Sequence, residues 1–188
     1  MTCADISYEG YSYSPPSEDK GLVLRVAAGC SHNACTFCGM YRNVRFRVKP
    51  LDELLPLIAE AKERTPNLRR VFLGDGNALA APINELLPIL QRLRSTFLTL
   101  NTISCAARAS DLLEKTPADL ALLRSNGLSL IYLGVESGDD EVLRRINKGV
   151  AAHDVIKAGQ AADKAGIELS TMIILGLGGK ELTEAHAI

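Results

Sequence analysis

Five short apolar, β-prone runs recur along the chain, at Gly21–Ala28, Arg70–Gly74, Phe97–Ser104, Leu128–Val135 and Glu168–Gly176. Between them lie segments with helical period. Leu51, Leu54, Leu55, Ile58 and Ala61 share one face, as do Ile83, Leu86, Leu87, Leu90 and Leu93. The two segments echo each other, with Pro56 and Pro88 in the same place, expected near the first turn where a missing N–H costs little. A third helix is punctuated by Thr116 as N-cap, Pro117 as first residue, Asp119 as first-turn acid and Gly127 as stop. Two more follow, near Asp139–Asn147 and Ala152–Ala165. Strands alternating with helices predict parallel β-strands joined by right-handed crossovers. The strands are almost wholly apolar, as when both sheet faces are covered. The predicted class is α/β, a partial parallel (β/α) barrel with about five βα units. Such a fold carries its function on the loops after the strands.

Two segments fall outside this alternation. Residues 1–20 are polar and turn-rich, with Tyr8, Tyr11, Tyr13, Pro15 and Pro16, and read as an irregular arm before a core domain of residues 21–188. The chain stops at Glu181–Ile188, inside what reads as a new helix, so the core is expected to be truncated at its C-terminus.

Composition narrows the class. The chain has 188 residues, 47% hydrophobic and 23% charged, with a formal net charge of −1. That is a globular composition with room for one substantial core. No apolar run approaches the roughly 18–20 residues that span a bilayer, and the N-terminus lacks the basic and apolar regions of a signal peptide. A cytoplasmic, reducing location is therefore expected, with the five cysteines as free thiols or metal ligands. Near-zero charge gives no general pull toward nucleic acid or anionic membrane. The basic, aromatic-interleaved segment Tyr41–Lys49 reads as a solvated loop.

The chemistry is concentrated in Cys30-Ser-His-Asn-Ala-Cys35-Thr-Phe-Cys38, directly after the first apolar run. Three thiolates on one tight loop suit an iron–sulfur cluster with one iron left without a protein ligand. The intervening residues are small or polar, and Gly29 and Gly39 flank the set. A structural zinc site in a binding or interaction domain is the alternative. Zinc prefers four ligands in two separated pairs, whereas Cys3 and Cys105 are single and remote and His32 sits between its neighbours. A redox use of Cys35-Thr-Phe-Cys38 is a third reading, one that leaves Cys30 idle.

These motifs resemble the radical S-adenosylmethionine superfamily, over about residues 20–180. The family's usual loop has three residues between the first two cysteines and two before the third; here there are four and two. The resemblance implies Cys30, Cys35 and Cys38 as ligands of a 4Fe–4S cluster, and Phe37 as the aromatic residue beside the bound nucleoside. Gly74-Asp75-Gly76-Asn77 is similar to the segment that meets the amino group of the methionine moiety, through backbone carbonyls more than through the Asp75 side chain. Ser104 stands where relatives place a polar ribose or substrate contact. Leu133–Leu143 is similar to the branch of oxygen-independent coproporphyrinogen oxidases, methylthiotransferases and elongator-type enzymes. There Glu136 would meet the ribose and Lys148, twelve positions on, the cofactor carboxylate. Ile174 and Gly176, in Met172–Gly178, fall in the segment whose backbone meets the adenine. The implied activity is reductive cleavage of S-adenosylmethionine to a 5′-deoxyadenosyl radical that abstracts hydrogen from an unidentified substrate. Its electron would come from a donor such as flavodoxin or ferredoxin. His32 reads as a polar loop residue, and no motif encodes the substrate.

Overall fold

The structure, a computed structural model, describes residues 4–5 and 13–187. Six strands form one parallel sheet: β1 (Ala4–Asp5), β2 (Leu22–Arg25), β5 (Arg70–Gly74), β6 (Thr102–Ala107), β7 (Leu128–Glu136) and β8 (Glu168–Ile173), in the order β1-β2-β5-β6-β7-β8. A separate antiparallel pair joins β3 (Ala27–Ala28) to β4 (Arg47–Val48). The large sheet is open: its strand order is linear and its edges are not paired to each other among the described residues. It is a section of a parallel barrel, as the alternating pattern predicts.

The helices are α1 (Leu51–Arg64), α2 (Ile83–Thr96), α3 (Ala109–Leu113), α4 (Pro117–Ser125), α5 (Asp140–Arg145), α6 (Ala152–Lys164) and α7 (Thr183–Ala187). None is long and apolar enough to cross a membrane. Successive strand residues point to opposite faces. Leu22, Leu24, Val71, Leu73, Ile103, Ile131 and Leu133 pack outward on the predicted helix faces, with Leu54, Ile58, Leu86, Leu90 and Leu93 in the same core. Val23, Phe72 and Tyr132 form a smaller inward cluster with Ala106 and Leu130. The capping prediction for α4 holds, since Asp119 N–H donates to Thr116 Oγ1 at 3.1 Å and Thr116 N–H to Asp119 Oδ2 at 2.9 Å.

Three boundaries differ from the sequence reading. The run 21–28 splits, because Ala27 and Ala28 leave the main sheet to pair with Arg47–Val48. The third strand begins at Thr102, not Phe97: the Phe97 N–H caps α2 on Leu93 O at 2.9 Å and its ring is buried beneath that helix end. Pro56 and Pro88 stand at the sixth position of helices that start at Leu51 and Ile83, further in than the first turn.

The largest difference concerns residues 1–20, expected to be irregular. Ala4–Asp5 adds a strand at the sheet edge, and Pro16–Glu18 forms a 3-10 turn. Glu18 is fully buried. Its carboxylate accepts hydrogen bonds from Tyr132 Oη at 2.7 Å and Ser104 Oγ at 2.9 Å, and pairs with Arg70 at 3.0 Å. A buried carboxylate persists only where donors replace its water, and three side chains from β5, β6 and β7 do so. This ties residues 13–18 across the inner face. Glu18→Ala removes the acceptor that three donors share, leaving Tyr132 Oη with Ser17 Oγ at 2.7 Å and Ser104 Oγ with the Val71 carbonyl at 3.4 Å, so a loss of about 3 kcal/mol is expected. Thermal denaturation should show a melting temperature lower by about 6–12 °C, and Glu18→Gln, which keeps one acceptor oxygen, a smaller drop.

Candidate active site

A cavity of about 560 Å³ opens at the C-terminal ends of the strands. That is ample for a nucleoside-sized ligand. Cys30, Cys35, Phe37 and Cys38 form one wall, Gly76, Asn77, Arg108, Glu136 and Lys148 line it above the sheet, and Phe72, Ala106, Tyr132 and Met172 supply its floor. Tyr13, Ser14 and Pro15 close one side.

The cysteine loop is held by bonds that leave its thiols to the cavity. Asn33, at φ 46°, donates to Tyr41 O at 2.6 Å. Ser31 N–H donates to Asn77 Oδ1 at 2.9 Å, and Asn77 Nδ2 returns a bond to Ser31 Oγ at 2.7 Å. On the far side Thr36 N–H donates to Ile146 O at 2.9 Å, Asn147 Nδ2 to Ala34 O at 3.0 Å and His32 Nε2 to Asn147 O at 2.7 Å. His32 is thus a strut of the loop, a role its place in the sequence does not reveal. The three cysteines are half-buried and free. Burial raises the Cys35 pKa, and the charges of Lys148 and Arg108 pull it back down. Among the described residues no group of His, Cys, Asp or Glu side chains is arranged around one point as a single ion requires. A cluster asks for a different arrangement, because each thiolate takes its own iron. Three thiols on one wall, beside two cations that favour thiolate, fit that demand.

The glycine-rich segment follows β5. Gly76 has φ 53°, and a Cβ placed on it would lie 1.9 Å from the Gly29 carbonyl oxygen. Its lack of a side chain is what allows this segment to touch the start of the cysteine loop. Tyr41 Oη accepts from Gly76 N–H at 3.0 Å, and burial pushes its pKa well above the usual tyrosine range. Asp75 is turned away from the cavity and pairs with Arg25 through contacts of 2.5 and 2.6 Å. Burial raises its pKa while Arg25 opposes the rise. The Gly74 carbonyl already accepts Val26 N–H at 2.5 Å. Of this motif, Gly76 and Asn77 face the cavity while Gly74 and Asp75 are not among its lining residues.

Glu136 ends β7 at φ 66° and pairs with Lys148 at 2.8 Å, both side chains almost buried. Gly134 makes room for the pair, since a Cβ there would lie 2.6 Å from Glu136 Oε1 and 2.9 Å from Lys148 Nζ. Ile174 lines the cavity, but its N–H donates to Glu136 O at 3.3 Å and its carbonyl accepts from His186 Nε2 at 2.9 Å. Gly176 lies beyond β8 in a turn and is not among the lining residues. Ser104 does not reach the cavity either. Its strand runs on to Ala107, and its hydroxyl is spent on Glu18. The sequence reading passed over Arg108, Tyr132 and Phe72. Arg108 directly follows an apolar strand, which is the one signal that could have marked it.

Parallel strands with a cavity over their C-terminal ends and three cysteines on the loop after β2 define a cofactor-using α/β enzyme architecture. The chain belongs to the radical SAM superfamily, whose description matches residues 24–187. Members of that superfamily use a 4Fe–4S cluster and S-adenosylmethionine. Over 183 residues the chain is 30% identical to the uncharacterized protein MJ0486 of Methanocaldococcus jannaschii, covering 89% of this chain and 56% of that one. It is 24% identical over 163 residues to the heme chaperone HemW of Bacillus subtilis, covering 81% of this chain and 42% of HemW, in agreement with the branch read from Leu133–Leu143. The chain therefore spans about half the length of these relatives. Its fold is similar to that of the cobalamin-dependent S-adenosylmethionine radical enzyme OxsB, with a TM-score of 0.67 and 21% identity over 85% of this chain and 24% of OxsB.

Proposed function

We propose that this protein binds a 4Fe–4S cluster through Cys30, Cys35 and Cys38 and uses it to cleave S-adenosylmethionine reductively. The observation that supports this best is the placement of all three thiols on one wall of a cavity at the strand ends. When bound, the cluster and S-adenosylmethionine supply a 5′-deoxyadenosyl radical for hydrogen abstraction from a substrate. Driving such a cleavage calls for the low end of the roughly −700 to +450 mV range of protein clusters, and a flavodoxin- or ferredoxin-type donor fits that need. The zinc reading is less well supported, because the cysteine wall comes with a nucleoside-sized cavity and with membership of a cluster-using superfamily.

The chain's own residues then bind, orient and exclude water. Phe37, 39% exposed at the cavity wall, offers an aromatic face to a nucleoside. Glu136 offers a carboxylate to ribose hydroxyls, and Lys148 pairs with it at 2.8 Å. Gly76 lets backbone approach the methionine end. Phe72, Ala106, Tyr132 and Met172 form a floor in which no charged side chain takes part. The direct test is anaerobic reconstitution with iron and sulfide, reduction with dithionite, and detection of 5′-deoxyadenosine. The expected protein is brown, holds about four irons per chain, following the cluster type, and forms 5′-deoxyadenosine. A colourless protein with zinc in the site and no cleavage would overturn the proposal.

A further inference from the structure

The cysteine loop stands in a stretch of the chain without acidic residues. Residues 20–51 hold six of the 21 basic residues, Lys20, Arg25, Arg42, Arg45, Arg47 and Lys49, and none of the 22 Asp and Glu residues. The fold spends part of this charge. Arg25 pairs with Asp75 at 2.5 Å, Arg47 pairs with Glu53 at 2.8 Å, and Lys49 is buried. Arg42 and Arg45 stay exposed, and among the described residues no carboxylate lies within ion-pair distance of either. Met40 and Val44, interleaved with them along the chain, are exposed as well. Arginines set among exposed apolar side chains have the composition of a protein-binding surface.

This turn is fastened to the cysteine loop at two points. The Tyr41 carbonyl accepts Val44 N–H at 2.9 Å, which closes the turn, and Asn33 Nδ2 at 2.6 Å, from between Cys30 and Cys35. Gly29, directly before Cys30, has φ 74°, and a Cβ on it would lie 2.9 Å from the Val44 carbonyl oxygen and 3.2 Å from the Arg45 carbonyl carbon. The buried Tyr41 side chain also accepts Gly76 N–H at 3.0 Å, so the arginines stand on an anchored turn. Arg42 follows Cys38 by four residues, which keeps their Cα atoms within about 14 Å of each other. A protein resting on Arg42 and Val44 would therefore lie next to the loop that carries the three thiols.

We infer that residues 40–45 form the docking surface for a small acidic one-electron carrier protein, with Arg42 and Arg45 as its charged contacts and Met40 and Val44 as its apolar ones. The inference rests on the function proposed above, which needs an electron for each cleavage. The carrier is oxidised by one electron, the cluster is reduced by one, and no proton or group moves with it. Charge selects the partner. The chain as a whole carries −1 and does not attract an acidic protein by its net charge. The acid-free stretch puts positive charge beside the thiols, where it both attracts such a partner and orients it. Single-stranded RNA, another polyanion, calls for exposed aromatic rings on which bases stack. The rings of this segment are withdrawn, Tyr41 being buried and Phe46 half-buried.

The test is equilibrium binding of an oxidised acidic flavodoxin and, separately, an oxidised acidic ferredoxin to the reconstituted protein, so that no electron moves. The wild type is compared with Arg42→Glu/Arg45→Glu and with Arg92→Glu/Lys157→Glu, which makes the same change in net charge at exposed positions of α2 and α6. Iron content and circular dichroism report on the fold of each. At least one carrier should bind the wild type, and more weakly as salt rises from about 50 to about 500 mM. Arg42→Glu/Arg45→Glu should weaken that binding about tenfold or more, and the control variant by less than about threefold. Formation of 5′-deoxyadenosine driven by dithionite should stay at the wild-type rate in both variants, while formation driven by the reduced carrier should fall in Arg42→Glu/Arg45→Glu alone. Equal losses in the two variants, or no binding of either carrier by a wild type that cleaves S-adenosylmethionine with dithionite, would overturn the docking surface and leave the proposed function standing. So would carrier binding left intact by Arg42→Glu/Arg45→Glu, and a single-stranded RNA oligonucleotide released by that variant would then name the occupant instead. A wild type that holds no cluster and cleaves nothing with dithionite would remove the proposed function, and the docking surface with it.

Discussion

Replacing any one of Cys30, Cys35 or Cys38 by alanine is expected to leave the anaerobically reconstituted protein colourless, with iron near zero and no cleavage of S-adenosylmethionine. Each thiolate would carry one iron, and the fourth iron has no protein ligand to spare, so the loop has no redundancy. Cys105→Ala should keep wild-type iron content. That thiol is 1% exposed and packs among the helices on the outer face of β6. Burial pushes its pKa up to about 12, and it is not among the residues that line the cavity. The cost there is a small core void, about 1 kcal/mol. Cys3 lies outside the described residues, and Cys3→Ala is expected to keep its iron as well. Iron and sulfide analysis, with the visible colour of the reconstituted protein, decides the matter. Loss of iron in Cys105→Ala would show that the ligand set is wrong.

Gly76→Ala should do nearly as much damage without touching a ligand. The added methyl would sit 1.9 Å from the Gly29 carbonyl oxygen and 3.0 Å from Cys30 Cα, both backbone, so neither can rotate away. The φ of 53° adds a left-handed penalty of about 1 kcal/mol for any side chain. Relief requires the cysteine loop or the end of β5 to move. A stability loss above about 3 kcal/mol is expected, seen as a melting temperature lower by at least about 6 °C. Cluster incorporation should fall with it, because the displaced segment is the one that Asn77 ties to Ser31. Gly39→Ala is the control: it has φ outside the left-handed region and its nearest contact is a side-chain atom of Arg42 at 3.9 Å, so it should behave as wild type. Indistinguishable behaviour of Gly76→Ala and Gly39→Ala would mean that the close approach does not govern the loop.

Spacing and the family resemblance together carried much of this site. The cysteine loop, Phe37, Gly76, Glu136 and Lys148 were marked from spacing and from resemblance, and the fold brings all of them to one cavity. Ser104 failed for a definite reason. A polar residue near the end of an apolar run looks like a strand terminus, but the strand continues to Ala107 and the hydroxyl turns to Glu18. Asp75 likewise carries the right chemistry, but one of its oxygens pairs with Arg25, fifty positions earlier, and the residue does not line the cavity. Arg108 stood alone in the sequence as one arginine among many.

What the sequence determined by itself was periodicity and local punctuation: apolar strands, amphipathic helices, the Thr116 cap, and three thiols clustered within nine residues. These depend on neighbours within a few residues, so they survive without a fold. The tertiary structure alone decided the electrostatics. Glu18 became a buried keystone, Lys148 paired with Glu136, and the Arg108 guanidinium was tied to the Lys148 carbonyl. Whether a charged side chain is spent or available depends on partners 12 to 114 residues away, and no pattern along the chain records them.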